Sequence, residues 1–362
     1  MKLAEFIAGR DNNFNLIRII AAYAVLVSHS FPLALGRGTV EPPLTLLGMS
    51  FGSMAVDIFF LASGFLVTGS LLARKNTLQF LWARALRIYP ALFFMLVITV
   101  GTLGIFFTTL PASEFFSHPI TQKYFVRCLT LVNSIKFELP GVFMENPYAK
   151  SVNGSLWTMR YEVRLYIIIG LLWALLHLAG QHQLRAFKIL VITSALIFGL
   201  LFFAGRFNLI ANQDALFRFG FLFMSGGSYF ILRERITLSG RIALPLFLIL
   251  VISAAIGHDA FFVAYSLGLG YLLLYAAYVP TGFIRHYNRF GDYSYGIYIY
   301  AFPVQQAVAA LVPGITVLEM IALSSLITLT FAVLSWHLVE ERALSFKDVF
   351  LKKPALQGAA TR

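Results

Sequence analysis

Arg18 and His29 interrupt an otherwise apolar stretch that runs from Asn15 to Ser30. They are eleven residues apart, about three helical turns, so on a helix both lie on nearly one face with roughly 16 Å of rise between them. One face thus carries a fixed charge at one end and a base that titrates near neutral pH at the other. The flanking residues are those of a bilayer-spanning helix, where an arginine near the centre costs roughly 2.5–3.5 kcal/mol on insertion scales. Taken singly, each residue has a plainer explanation: Arg18 snorkelling to the interface, His29 capped near the helix end. Both on one face of one membrane helix favour a functional reading.

Other ionisable residues fall inside apolar segments. Asp57 in Val56-Asp-Ile-Phe-Phe60, Glu162 in Tyr161-Glu-Val-Arg164, and Asp214 with Arg218 all lie toward the outer third of their segments. Mutual neutralisation is the plainer account: Asp57 or Glu162 set against Arg160, Arg164 or Arg218. Arg160 and Arg164 share a face at i, i+4, whereas Glu162 points elsewhere and is available to another helix, such as the one bearing His29. On the opposite side, Phe80-Leu-Trp-Ala-Arg-Ala-Leu-Arg-Ile-Tyr-Pro90 carries Arg84 and Arg87 at i, i+3, with Pro90 suited to the first turn of the next helix. Two planar guanidiniums suit a phosphate, and they equally suit anionic headgroups or topology anchoring. A lone cysteine, Cys128, excludes an internal disulfide, and no metal-ligand spacing occurs, so no metal is expected.

The elements that must position these residues follow from composition. Apolar residues make up 59% of the chain and charged ones 12%, far from a soluble domain, so its charge of +12 bears on membrane orientation rather than nucleic acid. The predicted class is an all-α, polytopic transmembrane helical bundle with helices over 12–34, 51–72, 88–110, 155–179, 188–205, 214–232, 242–257, 261–279, 294–312 and 317–337. An inside N-terminus gathers Lys2, Arg10, Arg74, Lys75, Arg84, Arg87, Arg233, Arg235, Arg285, Arg289 and the tail residues Lys352, Lys353 and Arg362 on one face, which predicts both termini in the cytoplasm. The first apolar segment is too long for a cleaved signal peptide and is expected to be retained. Residues 1–345 read as one membrane domain, 346–362 as a basic cytoplasmic tail, and 111–154 as an ordered outer loop whose stretch 124–137 is interfacial or re-entrant.

In order along the chain, these residues resemble the integral-membrane acyltransferase family 3, whose members acylate O-antigen, exopolysaccharide, nodulation factors and macrolide sugars. Arg18 with His29, Val56-Asp57-Ile-Phe-Phe with Ser63-Gly64-Phe65-Leu66, Arg84-Ala-Leu-Arg87-Ile-Tyr-Pro90, Asn153-Gly-Ser-Leu-Trp157 with Tyr161-Glu162, and Tyr293-Ser-Tyr-Gly-Ile-Tyr298 through Phe302-Pro303 each match a family motif. In two respects the chain departs from relatives: Ala301 stands where many have a histidine, and no hydrolase-like domain follows the tenth helix. The resemblance implies a cytoplasmic acyl-CoA donor, acetyl-CoA above all, a carbohydrate acceptor on the far side of the inner membrane, and no nucleic-acid partner. It gives His29 the place of general base with Asp57 or Glu162 orienting it, Arg18, Arg84 and Arg87 the donor, and Asn153, Trp157, Tyr161 and Arg218 the acceptor. Without the resemblance, buried charge and no nucleophile motif point to a transporter or flippase. Within the family, a small-molecule glycoside is the rival acceptor.

Overall fold

The computed structural model describes residues 1–9, 11–131, 133–211 and 214–349; Arg10, Lys352, Lys353, Arg362 and most of the tail segment lie outside the described residues. Ten long helices form the bundle: α1 (Phe14–Leu35), α2 (Phe51–Arg74), α3 (Thr77–Ile98), α4 (Met159–Leu175), α5 (Gln183–Arg206), α6 (Ala215–Ile231), α7 (Gly240–Ile256), α8 (His258–Tyr278), α9 (Ser294–Leu311) and α10 (Val317–Ser335). Each of the ten runs anticipated from hydropathy therefore contains a helix. Among the described residues, six runs are long and apolar enough to cross a bilayer: Phe14–Leu35, Phe51–Arg74, Thr77–Phe107, Ser155–Arg206, His258–Tyr278 and Val317–Asp348. The protein is a multi-pass, all-α membrane protein.

The third helix begins a full three turns before its expected start. Asn76 supplies the reason: its side chain accepts the Gln79 N–H at 3.0 Å and caps the helix there. Pro90 then sits inside α3 instead of at its first turn, and Tyr295 of α9 donates to the Ile88 carbonyl in the neighbouring turn at 2.9 Å. Arg84 and Arg87, assigned above to the cytoplasmic face, consequently lie two to three turns inside a membrane helix.

α9 is buried along nearly its whole length and packs against α1 and α10. α2 meets α6 backbone to backbone. A Cβ on Gly64 would fall 1.8 Å from the Phe223 carbonyl oxygen, and one on Gly226 2.1 Å from that of Leu61. Small residues permit such contacts in membranes, where packing rather than hydrophobic exclusion holds helices together. Gly64→Ala or Gly226→Ala is therefore expected to cost at least about 1–3 kcal/mol. Loss of monodisperse protein and a lowered unfolding temperature in detergent would register it.

The loop between α3 and α4 contains Ala112–Ser117 and the twelve-residue helix Pro119–Thr130, about 18 Å long and too short to span. This helix starts five residues earlier than the stretch singled out from sequence, because Pro119 begins it and His118 caps it through Nδ1 at 3.2 Å from the Ile120 N–H. Tyr124 and Cys128 form its buried face. Burial pushes the Cys128 thiol up to about 12. The thiol is expected to resist maleimide in the folded protein and to react only on unfolding.

Candidate functional site

Arg18, in the second turn of α1, ion-pairs with Asp292, two residues before α9 begins. The same carboxylate oxygen accepts from Arg87 at 2.5 Å, and Arg87 reaches Glu340 beyond α10 at 3.1 Å. Ser294 completes the cluster, donating its hydroxyl to the other Asp292 oxygen at 2.5 Å. Burial raises the Asp292 carboxyl, but Arg18 and Arg87 outweigh it and hold the group down at about 2. Two cations thus face two carboxylates across four segments. The guanidiniums of Arg18 and Arg87 are committed to protein anions.

Beside this cluster lies an internal cavity of about 90 Å³, walled by Arg18, Val56, Phe59, Ser63, Arg84, Arg87, Thr158, Glu162, Tyr166, Ser294, Tyr295 and Tyr298, among others. It has room for several waters at about 10–15 Å³ each. Arg84 differs from its neighbours: among the described residues its guanidinium makes no ion pair or hydrogen bond, and its Nε is buried without a partner. Opposite, the Tyr166 hydroxyl donates to Glu162, one turn earlier on α4, and Ser63 Oγ lies 2.7 Å from the Tyr166 oxygen and 3.5 Å from Glu162 Oε1.

His29 stands about three turns beyond Arg18 on the same helix, partly buried, its ring edge-on to Phe302 at a centroid distance of 5.2 Å. Its Nδ1 is buried without a hydrogen-bond partner. It does not line the cavity. Phe59 and Tyr298, which do, pack together at 5.8 Å, and Phe302 follows Tyr298 by one turn of α9.

Neither carboxylate expected to orient His29 is bonded to it. Asp57 pairs with Arg218 at 2.8 Å, and Arg218 also donates to the Ser53 carbonyl at 2.9 Å, so the plainer reading, charge neutralisation, describes Asp57. Glu162 is occupied by Tyr166. Of the expected acceptor contacts, Asn153 is fully buried and spends its amide on the Ile299 carbonyl at 2.9 Å and its oxygen on the Ser155 N–H at 3.1 Å, closing the turn before α4. Tyr161 is buried, with Arg160 stacked at 4.7 Å and donating to its hydroxyl at 2.8 Å. Trp157, 37% exposed, packs on Phe219 at 5.6 Å. Sequence reasoning gave no role to Ser63, Tyr166, Asp292 or Glu340. The i, i+4 spacing of Glu162 and Tyr166 carried a signal; the partners of Asp292 and Glu340 carried none.

Comparison with known proteins sets this geometry in context. A family described as an acyltransferase domain matches residues 11–337. The chain is 31% identical over 359 residues to a protein named O-acetyl transferase from Shigella phage Sf6, covering 93% of this chain and 97% of that one. It is 26% identical over 372 residues to Nodulation protein 10 of Rhizobium leguminosarum bv. viciae, covering 95% and 96%. No solved structure matches it.

Proposed function

The chain belongs to the acyltransferase-domain family, and from that premise we propose that it moves an acetyl group from acetyl-CoA to a hydroxyl of a carbohydrate across the inner membrane. The name O-acetyl transferase on a relative of nearly equal length supports the acetyl group and the hydroxyl acceptor. The carbohydrate rests on the motif resemblance. In this reading both termini face the cytoplasm, residues 1–345 form the catalytic membrane domain, and 346–362 a basic tail.

The observation that carries the donor side is Arg84. Arg84 lines the cavity together with Glu162, and its Nε is buried without a hydrogen bond, an arrangement improved by a ligand that supplies an anion or an oxygen dipole. A thioester or phosphate drawn into the cavity supplies it. Arg18 and Arg87 line the same wall and extend the donor contact, but each is already shared with Asp292. His29 is the general base for the acceptor hydroxyl, and its unbonded Nδ1 is free to accept a proton. Asp57 supports the site from a distance, and Glu162 lines the cavity wall itself. Trp157, Tyr161, Asn153 and Arg218 frame the acceptor side, Trp157 offering the exposed ring on which a sugar stacks.

The test is transfer of labelled acetyl from acetyl-CoA to a glycan acceptor by the purified protein in nanodiscs. Absence of donor consumption by folded protein would defeat the reading. Arg84→Ala is expected to lower kcat/KM for acetyl-CoA by about 10–100-fold, equal to about 1.4–2.8 kcal/mol of lost binding to donor or transition state. An unchanged KM and kcat would return Arg84 to a structural role.

A further inference from the structure

We propose that Ser63 is the nucleophile of a two-step transfer, carrying the acetyl group as a serine ester between donor and acceptor. This rests on the acyltransferase reading above and specifies its chemistry.

Ser63 is twelve residues from Phe51 and eleven from Arg74, midway along α2, so the ester would be held near the middle of the bundle. Its hydroxyl faces the cavity, with a relay behind it: Oγ is 2.7 Å from the Tyr166 oxygen and 3.5 Å from Glu162 Oε1, and Tyr166 itself donates to Glu162. A hydroxyl, a bridging phenol and a carboxylate make the arrangement that activates a nucleophile. Arg84, on the same wall with its Nε unbonded, is available to the oxygen on which charge develops. Gly64, the next residue, is locked against the Phe223 backbone and fixes the α2 turn that presents Ser63.

Two other hydroxyls on the wall lack these properties. Thr158 is bound to the Tyr298 hydroxyl and has no carboxylate partner among the described residues. Ser294 does bond a carboxylate, but Asp292 is held by Arg18 and Arg87 and is a poor base. Glu162 makes no ion pair among the described residues and is bonded instead to hydroxyls, those of Tyr166 and Ser63.

In the first step the Ser63 Oγ–carbonyl carbon bond forms and the carbon–sulfur bond breaks. The serine proton passes through Tyr166 to Glu162 and returns to the sulfur, so coenzyme A leaves as the thiol. In the second step the acceptor oxygen bonds the acyl carbon as the Ser63 ester bond breaks. The acceptor's proton, taken by His29, is returned to Ser63 Oγ. This step requires the Phe59–Tyr298 ring pair, next to the Phe302 that carries His29, to part.

The experiment is incubation of the purified protein in nanodiscs with radiolabelled acetyl-CoA and no acceptor, followed by peptide mass spectrometry. One acetyl group on Ser63 is expected in wild type, none in Ser63→Ala, and an undischarged acetyl group in His29→Ala when acceptor is added. Ser63→Ala should lower transfer at least about a thousand-fold. Ser63→Cys, nearly isosteric and still nucleophilic, should acetylate as a thioester, which separates a lost nucleophile from a lost fold. Protein that transfers acetyl to acceptor without ever carrying label, or that carries it on another residue, overturns the inference while leaving the acetyltransferase intact. Folded protein that neither labels nor transfers ends both.

Discussion

His29→Ala is expected to reduce acetyl transfer by about 10²–10⁴-fold, the range over which a positioned general base contributes. The donor KM should hardly move, because His29 does not line the cavity we assign to the donor. That split between rate and donor affinity is the signature to look for. The imidazole is one of few groups on its helix with an uncommitted buried nitrogen, and its contact with Phe302 fixes the ring plane. Removing it also leaves a void beside Phe302, worth a few kcal/mol at most by analogy with large-to-small core changes. His29→Gln, which keeps volume and hydrogen bonding but cannot act as a base near neutral pH, separates the two costs. Steady-state transfer with labelled acetyl-CoA, alongside thermal unfolding, reads both. A His29→Gln protein working at the wild-type rate would remove the residue from the chemistry.

The second large effect concerns Asp292. Asp292→Ala strands Arg18 and part-strands Arg87, leaving Glu340 as the one remaining anion of the cluster. Deleting one partner of a buried ion pair typically costs about 3–5 kcal/mol, because the surviving charge is left without compensation. Unfolding in detergent should show a loss of that order, and Arg18→Ala in the same protein should recover part of it, since the two changes share one interaction. An additive double variant would mean that the cluster does not act as a unit. The acid dependence follows from the depressed Asp292 carboxyl. Its contribution to stability is complete above the unfolded pKa of about 3.9 and is lost only as pH falls through about 2. Mild acidification should therefore leave the Asp292 carboxylate charged against Arg18 and Arg87, and Asp292→Asn should remove its share of the acid transition at the low end.

Much of this architecture was legible in the chain. Bilayer helices must satisfy their backbone internally and bury continuous apolar length, so hydropathy alone locates all ten. The start of α3 was not, because Pro90 reads as a first-turn residue and the run from Thr77 to Arg87, with its two arginines, reads as a loop. Only the Asn76 cap and the burial of Arg87 among Asp292 and Glu340 make that run helical and interior. The site divided in the same way. Spacing along one helix revealed the common face of Arg18 and His29, and it would have revealed Glu162 with Tyr166. Some pairings across the bundle stayed hidden: Arg87 finds Asp292 more than two hundred residues away, a choice made by tertiary packing with no local signature, whereas Asp57 with Arg218 was already the plainer account of that carboxylate.

The buried thiol of Cys128 has a practical consequence for sidedness. With its sulfur shielded in the Pro119–Thr130 helix and its thiol pushed up by burial, the native chain is expected to be silent toward membrane-impermeant thiol reagents. A reporter cysteine placed at Ser239, between α6 and α7, or at Ser113, between α3 and α4, would thus announce which compartment each faces against a blank background, with no need to engineer the natural residue away.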